Sequence, residues 1–199
     1  MKTSVIVYFI VLTISNNLFC QYKKDELLKV VKINFEQLNK VRKFPQIYAF
    51  KYFIPALLWK LPKRSLTWDT TLARLAQMKA EDMAAKNYFD HIDKNGKGMN
   101  YYLWQAGYPL PEYDKKGFIY EKDPKANNVE SISANSESPD KFIKDLIKDK
   151  GEWSKGHRKH LLGIGRFDRQ HTHVGIGIAW NPQSEYGYYC SVLIVHPVR

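Results

Sequence analysis

The fold is decided by the stretch VGIGIAW at residues 174–180, in which large and small side chains alternate. Successive side chains of a strand point to opposite faces, so the pattern predicts a strand whose second face carries only glycine and alanine. A face without bulk allows a helix or another sheet to pack closely against it. Residues 181–187 predict a turn and residues 188–195 a returning strand, which together give a C-terminal antiparallel hairpin.

Three helices are predicted upstream of this hairpin. Residues 25–41 carry apolar side chains at steps of three and four, and Pro45 ends that helix. Residues 70–86 carry a second such stripe, with Asp69 placed as its N-cap. The third helix begins at Ser-Pro-Asp, residues 138–140, where a capping hydroxyl precedes a proline in the first turn. Helices followed by a terminal hairpin predict an α+β layered domain.

The chain begins with the features of a secretory signal. Lys2 precedes the apolar run VIVYFIVL at residues 5–12, and a polar break and Cys20 follow. The run is shorter than the ~20 residues that a spanning helix needs. We therefore expect a signal peptide over residues 1–20 and a secreted chain, in the medium, the periplasm or the cell envelope; a lipid anchor on Cys20 is the alternative. If cleavage removes Cys20, Cys190, which lies in an apolar run near the C-terminus, has no partner for an intramolecular disulfide.

The composition is basic. The 199 residues include 31 Lys and Arg against 20 Asp and Glu, a net charge of +11, and their number suits one globular domain. This balance favours lipid headgroups, anionic polysaccharide or nucleic acid as contacts, while a solvated face that aids solubility is the alternative. The basic stretches lie at Lys23-Lys24 and at Lys60 to Arg64. We expect no specific nucleic-acid partner and no transmembrane segment.

Several catalytic motifs are absent: G-x-S-x-G, the Walker A loop, H-E-x-x-H and a CxxC pair. Ser138 and Lys141 fit S-x-x-K, but the helix start accounts for them. Residues 111–128 predict a surface loop that delivers Glu130. Four side chains remain that could act together: His91, Glu130, Asp149 and His157. Each also has an ordinary explanation as a solvated or hydrogen-bonded residue, and their spacing alone does not bring them together.

Ordered blocks around these residues resemble those of a known family. They are Leu66-Thr67-Trp68-Asp69, Asn87-Tyr88-Phe89-Asp90-His91, Gly107-Tyr108, Asn128-Val129-Glu130, Gly156-His157-Arg158-Lys159-His160-Leu161-Leu162 and Val174-Gly175-Ile176-Gly177. In this order they resemble the CAP superfamily, which groups cysteine-rich secretory proteins, wasp antigen 5 and plant pathogenesis-related proteins and has bacterial members. The resemblance runs from about Leu38 to His196, and the F-x-H and G-H-R blocks are its most specific parts.

The resemblance implies a three-layer α-β-α sandwich, with residues 21–65 packed as an N-terminal helix and connecting segment on a core at residues 66–199. In that family two histidines and two acids line a central cleft, where some members bind a divalent cation. The positions that match are His91, Glu130, His157 and, where many members have glutamate, Asp149. A divalent metal such as zinc is therefore expected on these four residues.

Two positions depart from the pattern of the family. Ser131 stands where an asparagine usually follows the first acid, and His160 where an asparagine often follows the G-H-R block. We expect both to alter hydrogen bonding in the cleft. His171 and His173 place two further imidazoles on one face of a predicted strand, a spacing that can bind a metal but more often has no such role.

Three functions fit the residues. Because no nucleophile accompanies the histidines and acids, the leading interpretation is a secreted binding domain that can hold a divalent metal and engages a lipid, sterol or extracellular polymer. The alternative is a metal-dependent hydrolase, with Glu130 as general base on a metal-bound water held by His91 and His157. A third interpretation is an adhesion module that acts through the basic surface.

Overall fold

One sheet and six helices make up the part of the chain that the structure describes. The computed structural model describes residues 3–55, 64–108, 123–135 and 138–196, with side chains from Lys23 onward. The helices are α1 (Thr3–Lys43), α2 (Pro45–Tyr52), α3 (Thr70–Lys86), α4 (Met99–Gln105), α5 (Phe142–Lys148) and α6 (Gly156–Leu162). The strands are β1 (Thr67–Trp68), β2 (Glu130–Asn135), β3 (His173–Trp180) and β4 (Tyr188–Val195). Their order in the sheet is β1-β3-β4-β2, with β1 parallel to β3 and the other pairs antiparallel.

Helices cover both faces of this sheet, so the predicted three-layer sandwich is confirmed. On one face, α1, α5 and α6 bury their apolar side chains against Ile176, Ile178 and Ile194. On the other face, α3 and α4 pack against residues such as Leu193 and Tyr189. The alternation of β3 and β4 assigns successive side chains to these two layers, as the sequence pattern predicts.

The contact between α3 and β3 depends on the two glycines of residues 174–180. A Cβ atom on Gly175 would overlap the backbone of Leu72 and Ala73, and one on Gly177 would overlap the backbone of Ala76 and Gln77. Asp69 caps the start of α3, because its carboxylate accepts hydrogen bonds from the amides of the first turn at 2.9 and 3.0 Å. The predicted helix and its cap are both confirmed.

Polar side chains of α1 fasten this helix to the rest of the domain. Asn39 exchanges two hydrogen bonds with the backbone of Leu66, at 2.8 and 3.1 Å. Arg42 is fully buried and donates to the carbonyls of Arg64 and Leu161, at 3.1 and 2.8 Å. The predicted helix over residues 25–41 is therefore confirmed, and α1 extends beyond it at both ends.

Pro45 separates two helices and does not open a connecting segment. It occupies the first turn of α2, where its missing N–H would have no helical partner. Ala49 and Tyr52 of α2, and Ile54 just after α2, are buried in the main core, which is the apolar cluster between the sheet and helices α1, α5 and α6. Four large apolar side chains nearby are exposed instead: Phe44, Ile47, Phe50 and Phe53.

Two local predictions are wrong. Glu130 does not lie in a loop but begins β2, which pairs with β4 along its whole length. The Ser138 hydroxyl does not cap a helix; it accepts a hydrogen bond from Lys141 Nζ at 3.0 Å, and α5 begins after a short 3₁₀ turn. Cys190 is buried and free, and burial raises the pKa of its thiol.

Some predictions fall on parts that the structure does not describe. They are the side chain of Cys20 with the signal cleavage and lipid anchor, most of the loop at residues 111–128, and the basic stretch from Lys60 to Lys63. These remain predictions. Among the described residues, no helix is both long and apolar enough to cross a membrane.

Candidate functional site

His91 and Glu130 form the first pair of the predicted cleft. His91 follows the left-handed C-cap of α3 by four residues, and β2 places Glu130 opposite it. The Nδ1 atom of His91 lies 2.9 Å from Oε2 of Glu130, and Ser191 donates to Oε1 at 2.8 Å. The Glu130 side chain is 0% exposed and that of His91 is 37% exposed. A buried carboxylate therefore holds a half-exposed imidazole.

Asp149 and His157 form a second pair of the same design. Asp149 is the C-cap of α5 in the left-handed conformation, which aspartate tolerates better than most residues. Its Oδ1 atom lies 2.8 Å from Nδ1 of His157, and its Oδ2 accepts from the backbone N–H of Arg158 at 3.2 Å. The Asp149 side chain is 3% exposed and that of His157 is 31% exposed. The shorter acid thus reaches its histidine directly.

The two pairs define the tautomer of each imidazole. An ionised carboxylate only accepts hydrogen bonds, so the proton of a neutral ring lies on the Nδ1 atom that faces it. This leaves Nε2 of His91 and of His157 with a free lone pair. Carboxylate-oriented histidines of this kind are common around protein metal sites, where the carboxylate fixes the ring and raises its basicity.

Ser131 and His160, the two departures from the family pattern, contact each other. The Ser131 hydroxyl lies 2.7 Å from Nδ1 of His160 inside the protein. Burial lowers the pKa of His160 to about 3, and the charges of His171, His157 and His91 act in the same direction. His160 is therefore neutral at physiological pH and lies close enough to both pairs to respond to their charge.

Strand β2 contributes both Glu130, which contacts His91, and Ser131, which contacts His160. Glu130 and Ser131 are successive residues, so their side chains point to opposite faces of the sheet. Glu130 reaches His91, which follows α3 on one face, and Ser131 reaches His160 in α6 on the other. Glu130 and His91 therefore lie on the α3 face of the sheet, and His160, which shares α6 with His157, lies on the other face; β2, the edge strand, contacts both.

Three further residues support His91, and none of them is predicted as a site residue from the sequence: Lys79, Asn127 and Ser191. Ser191 holds Glu130 as described, and the side-chain amide of Asn127 lies 2.8 Å from Nδ1 of His91, where its oxygen can share the proton that Nδ1 donates to Glu130. Lys79 is buried in α3 and donates to the His91 carbonyl at 3.1 Å; burial lowers its pKa, which the negative charge of Glu130 opposes. A lysine inside the apolar stripe of α3 was the available signal.

His171 and His173 do not share a strand face. β3 begins at His173, and His171 precedes it at the end of a 3₁₀ turn. The His171 ring packs edge-on against Phe167 with centroids 4.7 Å apart, while His173 Nδ1 lies 2.9 Å from the Thr172 hydroxyl. Burial lowers the pKa of His171 to about 4.

The Nε2 atoms of His91 and His157 are donors of a type that divalent metals accept. Within the described ranges, no group of three or more His, Cys, Asp and Glu side chains is arranged to hold an ion. Glu130 and Asp149 direct oxygen atoms at ring nitrogens, which suits the support of ligands better than direct coordination. The residues that would hold a metal are His91 and His157, through their Nε2 atoms.

Known proteins provide an independent comparison. A family model described as the cysteine-rich secretory protein family, CAP, matches residues 35–194. The uncharacterised protein YkwD of Bacillus subtilis is 29% identical over 114 residues, which cover 57% of this chain and 35% of that protein. This chain thus spans about a third of the length of that relative.

Two solved structures are similar to this chain over most of its length. An extracellular SCP-domain protein of Bacillus anthracis is 19% identical, with a TM-score of 0.48, and the alignment covers 86% of this chain and 43% of that one. An outer surface protein of Borrelia burgdorferi is 13% identical, with a TM-score of 0.54, and coverage is 85% and 94%. The second likeness supports the fold alone. Because the family model covers most of the sequence, including every block around the two histidine pairs, the chain belongs to the cysteine-rich secretory protein (CAP) family.

Proposed function

We propose that this protein is an exported binding domain that holds a divalent metal through His91 and His157 and binds a lipid, sterol or extracellular polymer. One observation carries the metal part: both imidazoles are half exposed, and a buried carboxylate fixes each by its Nδ1 atom. When bound, the metal would supply a Lewis-acid centre for an anionic group of the ligand. The structural relative from Borrelia burgdorferi is an outer surface protein, which supports export.

Glu130 is better placed to orient His91 than to act on a substrate. Both of its oxygens are engaged, one by His91 and one by Ser191, and its side chain has no exposed surface. A general base must reach the proton that it removes, directly or through one water. This placement favours a binding role over the hydrolase alternative.

Zinc is expected to raise the melting temperature of the wild-type protein. At a concentration 100 times the dissociation constant, a ligand of the native state adds about 2.7 kcal/mol of stability, or roughly 5–10 °C for a domain of this size. His91→Ala and His157→Ala should each abolish most of that shift. Glu130→Gln should weaken zinc binding about 10–100-fold, because the ring loses its orienting partner. Thermal melts with zinc and with a chelator measure each effect.

His173→Ala is the matched control, since it removes a partly buried imidazole at the start of β3, away from both pairs. It should leave the zinc shift intact. If the wild-type protein shows no shift with zinc, or if His173→Ala removes the shift as completely as His91→Ala, the metal part of the proposal is wrong.

A groove beside the sheet supports a lipid ligand. It has a volume of about 620 Å³ and lies between α1, α3 and the edge of β3. Its lining is largely apolar, with residues such as Val31, Trp68 and Ile176, and it also includes the charged residues Lys23, Lys24 and Glu81. Cavities of ~300–1,000 Å³ with this distribution suit small amphiphilic molecules.

The edge of β3 favours an acyl chain over a peptide as the occupant of this groove. Beyond Val174, no described strand pairs with this edge. The side-chain amide of Gln77 bonds both the N–H and the carbonyl of Ile178, at 3.0 and 3.1 Å, and so takes the place of a neighbouring strand. An added peptide strand would lack these partners, whereas an acyl chain needs none.

Ala73→Phe is expected to weaken binding of dodecanoate at least tenfold, because the added ring would fill the groove that Ala73 lines. Ala85→Phe is the matched control, since residue 85 is exposed on the same helix and does not line the groove. Titration calorimetry measures both. Equal affinity of the two variants, or no binding of dodecanoate to the wild-type protein, would contradict a lipid site in this groove.

A further inference from the structure

An acid-free, basic and aromatic segment surrounds α2. The sequence has no Asp or Glu between Glu36 and Asp69. Phe44, Ile47, Phe50 and Phe53 recur at every third residue across α2, and they are 45%, 61%, 75% and 89% exposed. Side chains three residues apart on a helix are neighbours, so Ile47 and Phe50 lie side by side, and Phe44 and Phe53 flank them at the N-cap and the C-cap; we call these four side chains the apolar row. A row of this size on the surface marks an interaction site more often than a single exposed side chain does.

The opposite side of α2 is firmly attached to the domain. Ala49 and Tyr52 belong to the main core, and the Tyr52 hydroxyl accepts a hydrogen bond from Gln37 at 2.6 Å. The Tyr48 and Tyr52 rings pack edge to face with centroids 5.2 Å apart. The apolar row is therefore presented by a fixed scaffold.

Phe53 occupies a backbone conformation that its side chain does not favour. It is the C-cap of α2 with φ 55° and ψ 48°, the left-handed region in which glycine is the usual residue. A bulky residue there is strained, and the exposed ring gains no packing in return. Folding therefore gives no reason for a phenylalanine at this position, which points to a role outside the domain.

Lysines flank the apolar row. Lys43 and Lys51 are exposed, with their Nζ atoms 5.4 Å from the Phe44 ring centroid and 5.6 Å from that of Tyr48. No acidic side chain of α2 competes for their charge, because α2 has none. The surface thus combines apolar bulk with positive charge, as helices that lie in a membrane interface do.

We propose that the α2 surface, defined as Phe44, Ile47, Phe50 and Phe53 with Lys43 and Lys51, docks onto an anionic lipid bilayer. The phenyl rings and Ile47 enter the boundary between headgroups and acyl chains, and the two ammonium groups contact lipid phosphates. A soluble polyanion would use the lysines but leave the apolar row in water, so it does not account for the larger part of this surface. The inference goes beyond the proposed function, since neither histidine pair nor the groove takes part.

Vesicle binding of the purified protein tests this surface. With vesicles of phosphatidylcholine and phosphatidylglycerol, Phe50→Ser and Phe53→Gly should each lower the partition coefficient about tenfold, because each ring leaves the interface. Lys43→Glu with Lys51→Glu should lower it at least 25-fold, at about fivefold or more per lysine, and only with the anionic lipid present. All variants share the same N-terminus, so the apolar run at residues 5–12 contributes equally.

Phe53→Gly separates docking from folding. Glycine relieves the left-handed strain, so the melting temperature of this variant should equal or exceed that of the wild-type protein while vesicle binding falls. Met78→Ser, on the exposed side of α3, and Lys94→Glu with Lys125→Glu are matched controls that should bind as the wild type does.

The outcomes that would overturn the proposal are distinct from those for the cleft and the groove. Wild-type affinity in Phe50→Ser and Phe53→Gly would show that the row does not enter the bilayer. Binding of dextran sulfate, with no binding to vesicles, would make the surface a polyanion site. Zinc and dodecanoate titrations of Phe53→Gly should match the wild type, so a failure here leaves the proposed function untouched.

Discussion

Gly177→Ala is expected to lower the free energy of unfolding by about 3 kcal/mol, near the upper end of the usual cost of overpacking a core. The added methyl would overlap the backbone of Ala76 and Gln77, which cannot rotate away as the tip of a side chain could. Helix α3 must then move off the sheet. That movement would also break the two hydrogen bonds between Gln77 and Ile178, each contributing roughly 0.5–1.5 kcal/mol.

Urea unfolding followed by tryptophan fluorescence measures this change. Gly156→Ala is the matched control, because a Cβ atom there would meet only the Ser154 hydroxyl, at an ordinary 3.5 Å. It should leave the midpoint within about 0.5 kcal/mol of the wild type. A Gly177→Ala protein as stable as Gly156→Ala would mean that α3 and β3 are not in the close contact described.

Acid is expected to destabilise the protein well before its carboxylates are all protonated. Burial lowers the pKa of His160 to about 3 and that of His171 to about 4, against an ordinary value near 6.5. Between those limits the unfolded chain binds more protons than the folded one, so stability falls as pH falls below about 6.5. Asp168 acts in the opposite sense, because burial raises its pKa to about 6 and the folded state binds its proton first.

These shifts set the size of the expected loss. Each unit of pKa shift corresponds to ~1.4 kcal/mol, so each histidine contributes roughly 3 kcal/mol between pH 7 and pH 4 and Asp168 offsets about 2 kcal/mol. A net loss of about 3–4 kcal/mol follows. His160→Asn should be less stable at pH 7, since the Ser131 hydroxyl loses its present partner, but should show a much shallower pH dependence.

Urea melts of the wild type and His160→Asn from pH 7 to pH 4 test this expectation, because they give the slope of the free energy of unfolding against pH. Gly156→Ala provides the control, because it changes no titratable side chain and should leave the slope of the wild type unchanged. Parallel pH profiles for the wild type and His160→Asn would show that His160 is not held neutral in the folded state.

The sequence predicts those parts of the fold whose pattern is local. Helix α3 is predicted from apolar side chains that recur with a period of about 3.6 residues, and strands β3 and β4 from the alternation of their side chains. The sequence blocks around His91 and His157 identify the two histidines. Strand β2 is not predicted, because its sequence ESISAN has small polar residues on both faces, which is typical of a loop. What makes it a strand is its ladder with β4, which is a long-range contact.

The contacts inside the site were beyond prediction for the same reason. Ser131 and His160 are 29 residues apart and appear in the sequence as two unrelated departures, although their side chains are 2.7 Å apart. Likewise, Lys79 stands out within the apolar stripe of α3, but the sequence does not show that it donates to the His91 carbonyl. The sequence blocks predict which residues belong to the site, but they do not predict the hydrogen-bond partner of each residue.

The placement of Glu130 and Ser131 on opposite faces of β2 makes the site sensitive to strand register. A slip of β2 by one residue against β4 would exchange the two faces, and both the His91 contact and the His160 contact would be lost together. A one-residue deletion that caused this slip would leave a folded sandwich in which His91 and His160 have lost these partners, whereas His157 would keep Asp149. The orientation of His91 therefore depends on the correct register of β2 against β4.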